Sequence, residues 1–259
     1  MIITHQHFSL LEKCILERIV FIPPIKKSSV MENEACFLYS VNGQSSLYSA
    51  NQKMELSSKD GVVLKCGSYL QNHYKSSDDK PYEKIAIHFH PEVLKLIYKD
   101  ELPDFLKNKP SKHIKTIERI KVDKMIGQYI NSLIFYFESP SLVNDELVVL
   151  KVKELLLLLI KTDSSEQIQN ILKDLFNPTE VDFKKVIQAH LYSNLTIKDL
   201  ALLSNLSVST FKRTFRQIYN DSPAHYIKVK RLEKSAELLK ITSDRISDIG
   251  YDCGFNTIG

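Results

Sequence analysis

The sequence predicts an α+β protein: an N-terminal antiparallel β-barrel carrying a helical hairpin, followed by an all-α domain. Three observations predict it. Short β-rich runs separated by polar turns fill the first hundred residues. From Val122 the apolar period changes from two to the three- and four-residue steps of helices. Residues 183–241 then read as four short helices in quick succession, and the window 184–240 within them holds 11 Lys/Arg against 4 Asp/Glu.

Composition removes several classes. With 43% hydrophobic and 25% charged residues over 259 positions, the chain is globular and long enough for about two domains. Only 7 glycines are present and no G-x-G-x-x-G or Walker run occurs, which leaves little room for a glycine-cradled nucleotide site. Cys14, Cys36, Cys66 and Cys253 lie far apart without zinc spacing and read as reduced thiols. The longest apolar run, 155–160, is far short of the ~20 residues that span a bilayer. Residues 1–20 lack the basic and apolar regions of an export signal. The expectation is a cytoplasmic protein with no membrane partner.

The elements follow in order. Strands are expected at 14–22, 35–41, 44–50, 62–66 and 82–90. Asn42-Gly43 between two of them predicts a type I′ hairpin, because both residues tolerate positive φ. Pro91 opens a short helix at 91–99, and 102–110 reads as a connection. Met125, Ile126, Tyr129, Ile130, Leu133, Ile134 and Phe137 trace one helix, which Ser139-Pro140 breaks. A second helix covers 144–161. Its run 155–160 is apolar all round and has to be covered on several sides. An intramolecular core and a dimer interface both answer that need, and the reading favours the dimer. Residues 164–177 form a further helix, and Asn177-Pro178-Thr179 marks the boundary between domains 1–177 and 178–259.

The second domain carries the informative spacing. Val186, Ile187 and His190 form the inner face of a helix at 183–191. Thr196 caps the next helix, 197–203, with Asp199 completing a Thr-x-x-Asp capping box. Leu200, Ala201 and Leu203 turn inward, and Asn205 suits a left-handed turn. Ser207 caps a third helix with Phe211, Phe215 and Ile218 on one side and Ser209, Lys212, Arg213 and Arg216 on the other. A short helix, a tight turn and a second helix with a basic outer face is a helix-turn-helix. Ser222-Pro223 starts a fourth helix reaching about Lys240, with Ile227, Leu232, Ala236 and Leu239 expected inward. Lys184, Lys185, Lys212, Arg213, Arg216, Lys228 and Lys230 supply a positive field suited to a polyanion.

The spacing Ser-x-x-x-Phe-x-Arg-x-Phe (Ser207 to Phe215), with Ser222-Pro223, Tyr226, Arg231-Leu232, Ala236, Leu238-Leu239 and Gly254-Phe255, resembles the AraC/XylS family of bacterial transcription regulators over residues 180–259. The N-terminal layout is similar to that family's regulatory and dimerisation domain. The long helix and the absence of a sugar-type pocket motif resemble the branch that controls type III secretion. The resemblance implies a transcription regulator, an activator, and no enzyme. Its implied partners are double-stranded DNA, a second copy of the chain, RNA polymerase, and a small-molecule or protein effector at the N-terminal domain. The DNA-contacting residues it implies are Ser207, Ser209, Thr210, Lys212, Arg213, Arg216, Lys228 and Lys230. Asn220 and Gly250 stand where the family has glycine and alanine. The sequence ends at Gly259, just as a second recognition helix would begin near Thr257, so an incomplete second helix-turn-helix is expected.

The different-class alternative is a cupin-like metalloenzyme. His88 and His90 point to one face of a strand, with Glu92 close by and His73 as a third imidazole. The glutamate spacing is wrong for that pattern and Pro91 starts a helix, so the expectation is no metal and no cofactor. No serine, cysteine or lysine sits with a base at a catalytic spacing.

Overall fold

The structure, a computed structural model, describes residues 1–75, 80–99, 101–107, 114–176, 182–242 and 244–255. Ten strands are present among these: β1 Ile2–Leu10, β2 Lys13–Phe21, β3 Ile25–Met31, β4 Ala35–Ser40, β5 Ser45–Tyr48, β6 Lys53–Leu56, β7 Gly61–Leu64, β8 Gly67–His73, β9 Tyr82–Phe89 and β10 Ile117–Ile120. They form a six-stranded sheet ordered β1-β2-β9-β4-β7-β10 and a four-stranded sheet ordered β3-β8-β5-β6, with every pairing antiparallel.

Side-chain alternation explains how the six-stranded sheet buries both faces. Cys36, Val62, Leu64 and Ala86 face the four-stranded sheet and pack with Met31, Leu47, Leu56 and Tyr69. Their neighbours Phe37, Val63, Ile85, Ile87 and Phe89 face the other way, toward the helices. Those helices are α1 Pro91–Ile97, α2 Asp104–Lys107, α3 Lys124–Glu138, α4 Asp145–Leu159 and α5 Ser165–Asp174. Asp123 and Asn144 cap α3 and α4 by accepting the backbone N–H of Ile126 and Leu147.

Two expectations need correction. Asn42-Gly43 makes no hairpin: β4 and β5 belong to different sheets, so this turn carries the chain from one layer to the other. Only Gly43 has positive φ (+87°), where type I′ needs two such residues. Asn42 instead spends its side chain on the start of β9, accepting from Glu83 N and donating to Pro81 O. The run 155–160 is mostly covered within the chain. Leu155, Leu156 and Leu159 are fully buried in the core shared by α3, α5 and the six-stranded sheet, and only Leu157 is exposed. The expected domain boundary at 177–179 lies outside the described residues.

Candidate nucleic-acid interface

The helical half is built from α6 Phe183–His190, α7 Ile197–Leu203, α8 Val208–Tyr219, α9 Pro223–Ile241 and α10 Ile246–Asp252. Each start has a local cause. Asp182 caps α6, Thr196 and Asp199 form a reciprocal capping box on α7, Ser207 caps α8, and Ser222 precedes Pro223 at the first position of α9. Asn205 (φ 54°) and Asn220 (φ 53°) take the left-handed conformation that ends α7 and α8. Asn220 therefore does at this position what the family's glycine does. Phe211 and Phe215 are fully buried among Val186, Ile187, Leu200, Leu203 and Phe183, and they set the crossing of α7 and α8. Ile218 lies on the same side a turn further on, but remains more than a third exposed, against expectation.

Opposite Phe211 and Phe215, the side chains of Ser209, Lys212, Arg213, Arg216 and Gln217 line one open concave surface. All five are exposed. Three permanent cations and two hydrogen-bonding groups on a single helix face are what base edges and phosphates require. Ser207 and Thr210 play another part: Ser207 Oγ accepts Thr210 N and also bonds to Thr210 Oγ1, so both hydroxyls serve the helix start. Lys228 and Lys230 stand on α9, outside that surface. Lys230 pairs with Glu233 at 2.7 Å, and Lys228 is exposed. Gln217 was missed by sequence reasoning, although it follows Arg213 by the four residues that keep a helix face.

The inner face of α9 also differs from expectation. Leu232, Ala236 and Leu239 are exposed, and the stripe that faces inward is Ile227, Arg231, Lys234 and Leu238. At ~100° per residue the two stripes lie well apart. The apolar count went astray because Arg231 and Lys234 occupy the inner stripe, with Arg231 donating to the carbonyls of Leu191, Ser193 and Gly254.

The histidines of the N-terminal domain do not converge with Glu92, which is exposed on α1. His88 Nδ1 contacts Glu34 Oε2 at 2.9 Å, and His90 Nε2 meets Cys14 O at 3.2 Å. Among the described residues no group of three or more His, Cys, Asp or Glu is arranged to hold a metal ion. His73 belongs to the other sheet and lines a cavity of about 70 Å³ with Lys27, Lys84, Ile19, Phe21 and Leu38. Burial pushes the Lys84 ammonium down to about 8, and its Nζ donates to Ser40 Oγ at 2.7 Å. Burial, with Lys84 and Lys27 nearby, pushes His73 down to about 3.

Comparison with known proteins bears on both halves. Residues 35–171 match the ExsA N-terminal regulatory domain, and residues 200–259 match a helix-turn-helix domain. The HTH-type transcriptional regulator ExsA of Pseudomonas aeruginosa is 25% identical over 111 residues, 43% of this chain and 40% of that protein. The virulence regulon transcriptional activator VirF of Yersinia enterocolitica is 25% identical over 136 residues, 52% of this chain and 50% of that protein. The HTH-type regulator YdeC of Bacillus subtilis is 31% identical over 71 residues, 27% of this chain and 24% of that protein. The chain thus spans half or less of the length of these relatives. Among solved structures, ToxT of Vibrio cholerae is 14% identical with a TM-score of 0.41, covering 94% of this chain and 90% of that one.

Proposed function

The chain belongs to the family of the ExsA N-terminal regulatory domain, within the AraC/XylS regulators, and on that premise we propose that it is a sequence-specific DNA-binding transcription activator rather than an enzyme. One observation carries the proposal: Ser209, Lys212, Arg213, Arg216 and Gln217 share an open face of α8, the second helix of a capped helix-turn-helix. In this motif the second helix enters the major groove. Arg213, with its planar fork, suits the O6/N7 edge of guanine, and Lys212 and Ser209 suit neighbouring base edges. Arg216 lies nearer the phosphates, where Lys228 adds a sequence-independent contact.

Residues 1–177 form the regulatory and dimerising unit and residues 178–259 the DNA-binding unit. Dimerisation is supported by the outward face of α3 and α4, where Met125, Phe135, Leu150 and Leu157 are exposed. An effector, either a small molecule in the cavity beside Lys84 or a protein on the outer surface, acts on the N-terminal unit. RNA polymerase is the partner of an activator of this kind, and the cytoplasm is where both operate. No helix of the described residues is long and apolar enough to cross a membrane.

Selection from a random pool of double-stranded DNA tests the proposal directly. The expected outcome is an enriched motif whose footprint places α8 in one major groove. A pool that stays random after repeated rounds, with and without extract of the source cells, would refute sequence-specific binding.

A further inference from the structure

The two halves meet along the four-stranded sheet. Lys26 of β3, Ser68 and Leu70 of β8 and Tyr48 of β5 meet the helix-turn-helix, while odd-numbered Ile25, Lys27, Gln71 and His73 line the cavity on the other side of the sheet. Tyr48 and Leu70 pack into the same apolar cluster as Val186, Ile187, Leu200 and Phe211. Ser68 Oγ donates to Asn205 Oδ1 at 2.5 Å, in the turn between α7 and α8. His190 Nε2 meets Ser49 O. Lys26 Nζ on β3 reaches Asp199 Oδ2 at 2.6 Å, the carboxylate oxygen that also accepts from Thr196 in the α7 capping box.

We propose that Lys26 is a positioning residue for DNA reading: by clasping Asp199 it holds the helix-turn-helix against the N-terminal sheet in the conformer that binds DNA. The inference rests on the DNA-binding reading of α8.

Two features give the clasp its direction. The five side chains of the α8 face are exposed while the clasp is closed, so docking does not cover the recognition surface. Asp199 sits in the first turn of α7, and the first helix of this motif crosses the DNA backbone. An unpaired carboxylate there is repelled by phosphates; paired with Lys26 it is neutralised. Docking and DNA binding therefore favour each other, and the coupling is reciprocal. Burial pushes the Asp199 carboxyl up, but hydrogen bonds from Lys26 and Thr196 outweigh it and hold the group below its ordinary value.

The test compares the full chain with Lys26→Met, Lys26→Arg, Asn205→Gly and Arg213→Ala on a DNA site selected with the wild type. Amide exchange in 197–206 is followed alongside affinity. Asn205→Gly keeps the left-handed turn but removes the partner of Ser68. If opening the clasp leaves a tenth of the molecules docked, apparent affinity falls ~10-fold, because it scales with the competent fraction. Lys26→Met and Asn205→Gly are expected to speed exchange in α7 and weaken binding by about that factor at unchanged melting temperature, with Lys26→Arg restoring both readouts. A lesion confined to folding would shift the melting temperature instead, and Lys26→Arg would not discriminate. Unchanged exchange and affinity in both clasp variants would overturn the proposal, and so would tighter binding, which would make the clasp inhibitory. Failure of Arg213→Ala to alter binding would strike the underlying DNA reading, while exchange in 197–206 would still decide whether Lys26 holds the dock.

Discussion

Arg231 and Gly254 lock the segment after α10 to the segment after α6. Arg231 Nη1 donates to Gly254 O at 2.7 Å, while Nε and Nη2 of the same guanidinium donate to Leu191 O and Ser193 O at 2.9 and 2.5 Å. Gly254 has φ +85°, and a Cβ built on it would lie 2.7 Å from Tyr192 O. One cation thus ties the segment after α6 to the segment after α10, and the glycine is what lets the two backbones approach. Both residues are among the family markers visible in the sequence; the structure supplies the physical reason for each.

Gly254→Ala therefore meets two penalties, a left-handed backbone and a close contact with a carbonyl. It is expected to lower unfolding free energy by ~1–3 kcal/mol, the range for one residue held in such a conformation. Arg231→Met removes three charge-assisted hydrogen bonds and should cost at least as much. Urea midpoints at constant slope check both, and a change below ~0.5 kcal/mol in either, the size of an ordinary surface substitution, would count against the lock.

Much of the helical half was legible because its signals are local. Thr196 with Asp199, Ser207, Ser222-Pro223 and Asn205 each act within four residues, and each appears where it was expected. The sheets were less legible because pairing is set over long range. The Asn42-Gly43 signal marks a change of chain direction, yet it cannot say that its two flanks join different sheets and so make no hairpin. β3, with the sequence IKKSSVM, escaped notice because its outward face is polar and its inward face is short of apolar residues. The clasp between Lys26 and Asp199 spans 173 positions and leaves no trace in local pattern. Of the exposed α8 face, Lys212, Arg213 and Arg216 are legible as a basic stripe, whereas the bond from Ser207 Oγ to the Thr210 hydroxyl emerges only from hydrogen-bond geometry.

Arg213→Ala and Lys228→Ala should fail in different ways. Loss of a bidentate contact to guanine costs ~1–3 kcal/mol of discrimination and relaxes preference at one or two base pairs. Loss of a phosphate contact weakens all sequences alike and reduces the salt slope by ~1. Binding isotherms on the selected site and on scrambled DNA, at several salt concentrations, separate the two. Identical profiles for the variants would count against the proposed placing of α8 toward the groove and α9 toward the backbone.

The imidazole of His88 lies between two carboxylates, with Nδ1 2.9 Å from Glu34 and Nε2 3.7 Å from Glu17. Burial disfavours its charged form, but Glu17 and Glu34 outweigh burial and raise it from 6.5 to about 9. Burial likewise pushes Glu17 up, but His88, Lys27 and His5 outweigh it and bring the carboxyl from 4.5 down to about 2. A raised base contributes stability in full below its unfolded value and loses it as pH climbs through the folded one. A lowered acid contributes in full above its unfolded value and loses it as pH falls. The cost of His88→Gln should therefore be greatest between pH 4.5 and 6.5, ~3 kcal/mol for breaking a buried pair, and shrink toward pH 9 and toward pH 2. Denaturation of both proteins at pH 5.5, 7 and 9 reads this out. An equal cost at all three values would mean that His88 is not charged in the fold.

The last prediction separates association from folding on a single helix. α4 carries Leu155 and Leu157 two positions apart, about 200° around the axis, so they face opposite directions. Leu155 is 0% exposed, packed in the core with α3 and the six-stranded sheet, while Leu157 is 49% exposed. Leu150 lies seven residues before Leu157 and is 59% exposed, so the two share one outward stripe, next to an α3 whose Met125 and Phe135 are also exposed. If that stripe is the dimer interface, Leu157→Asp places a charge where two copies meet and should yield a folded monomer. Leu155→Asp buries an unpaired carboxylate in the core and should unfold the N-terminal domain whatever the oligomeric state. Sedimentation velocity gives mass, and near-ultraviolet circular dichroism reports whether the tyrosines of α3 remain packed. Folded monomers of Leu157→Asp beside wild-type dimers would establish the interface. Wild-type monomers at tens of micromolar, or Leu157→Asp dimers indistinguishable from wild type, would place self-association elsewhere or abolish it.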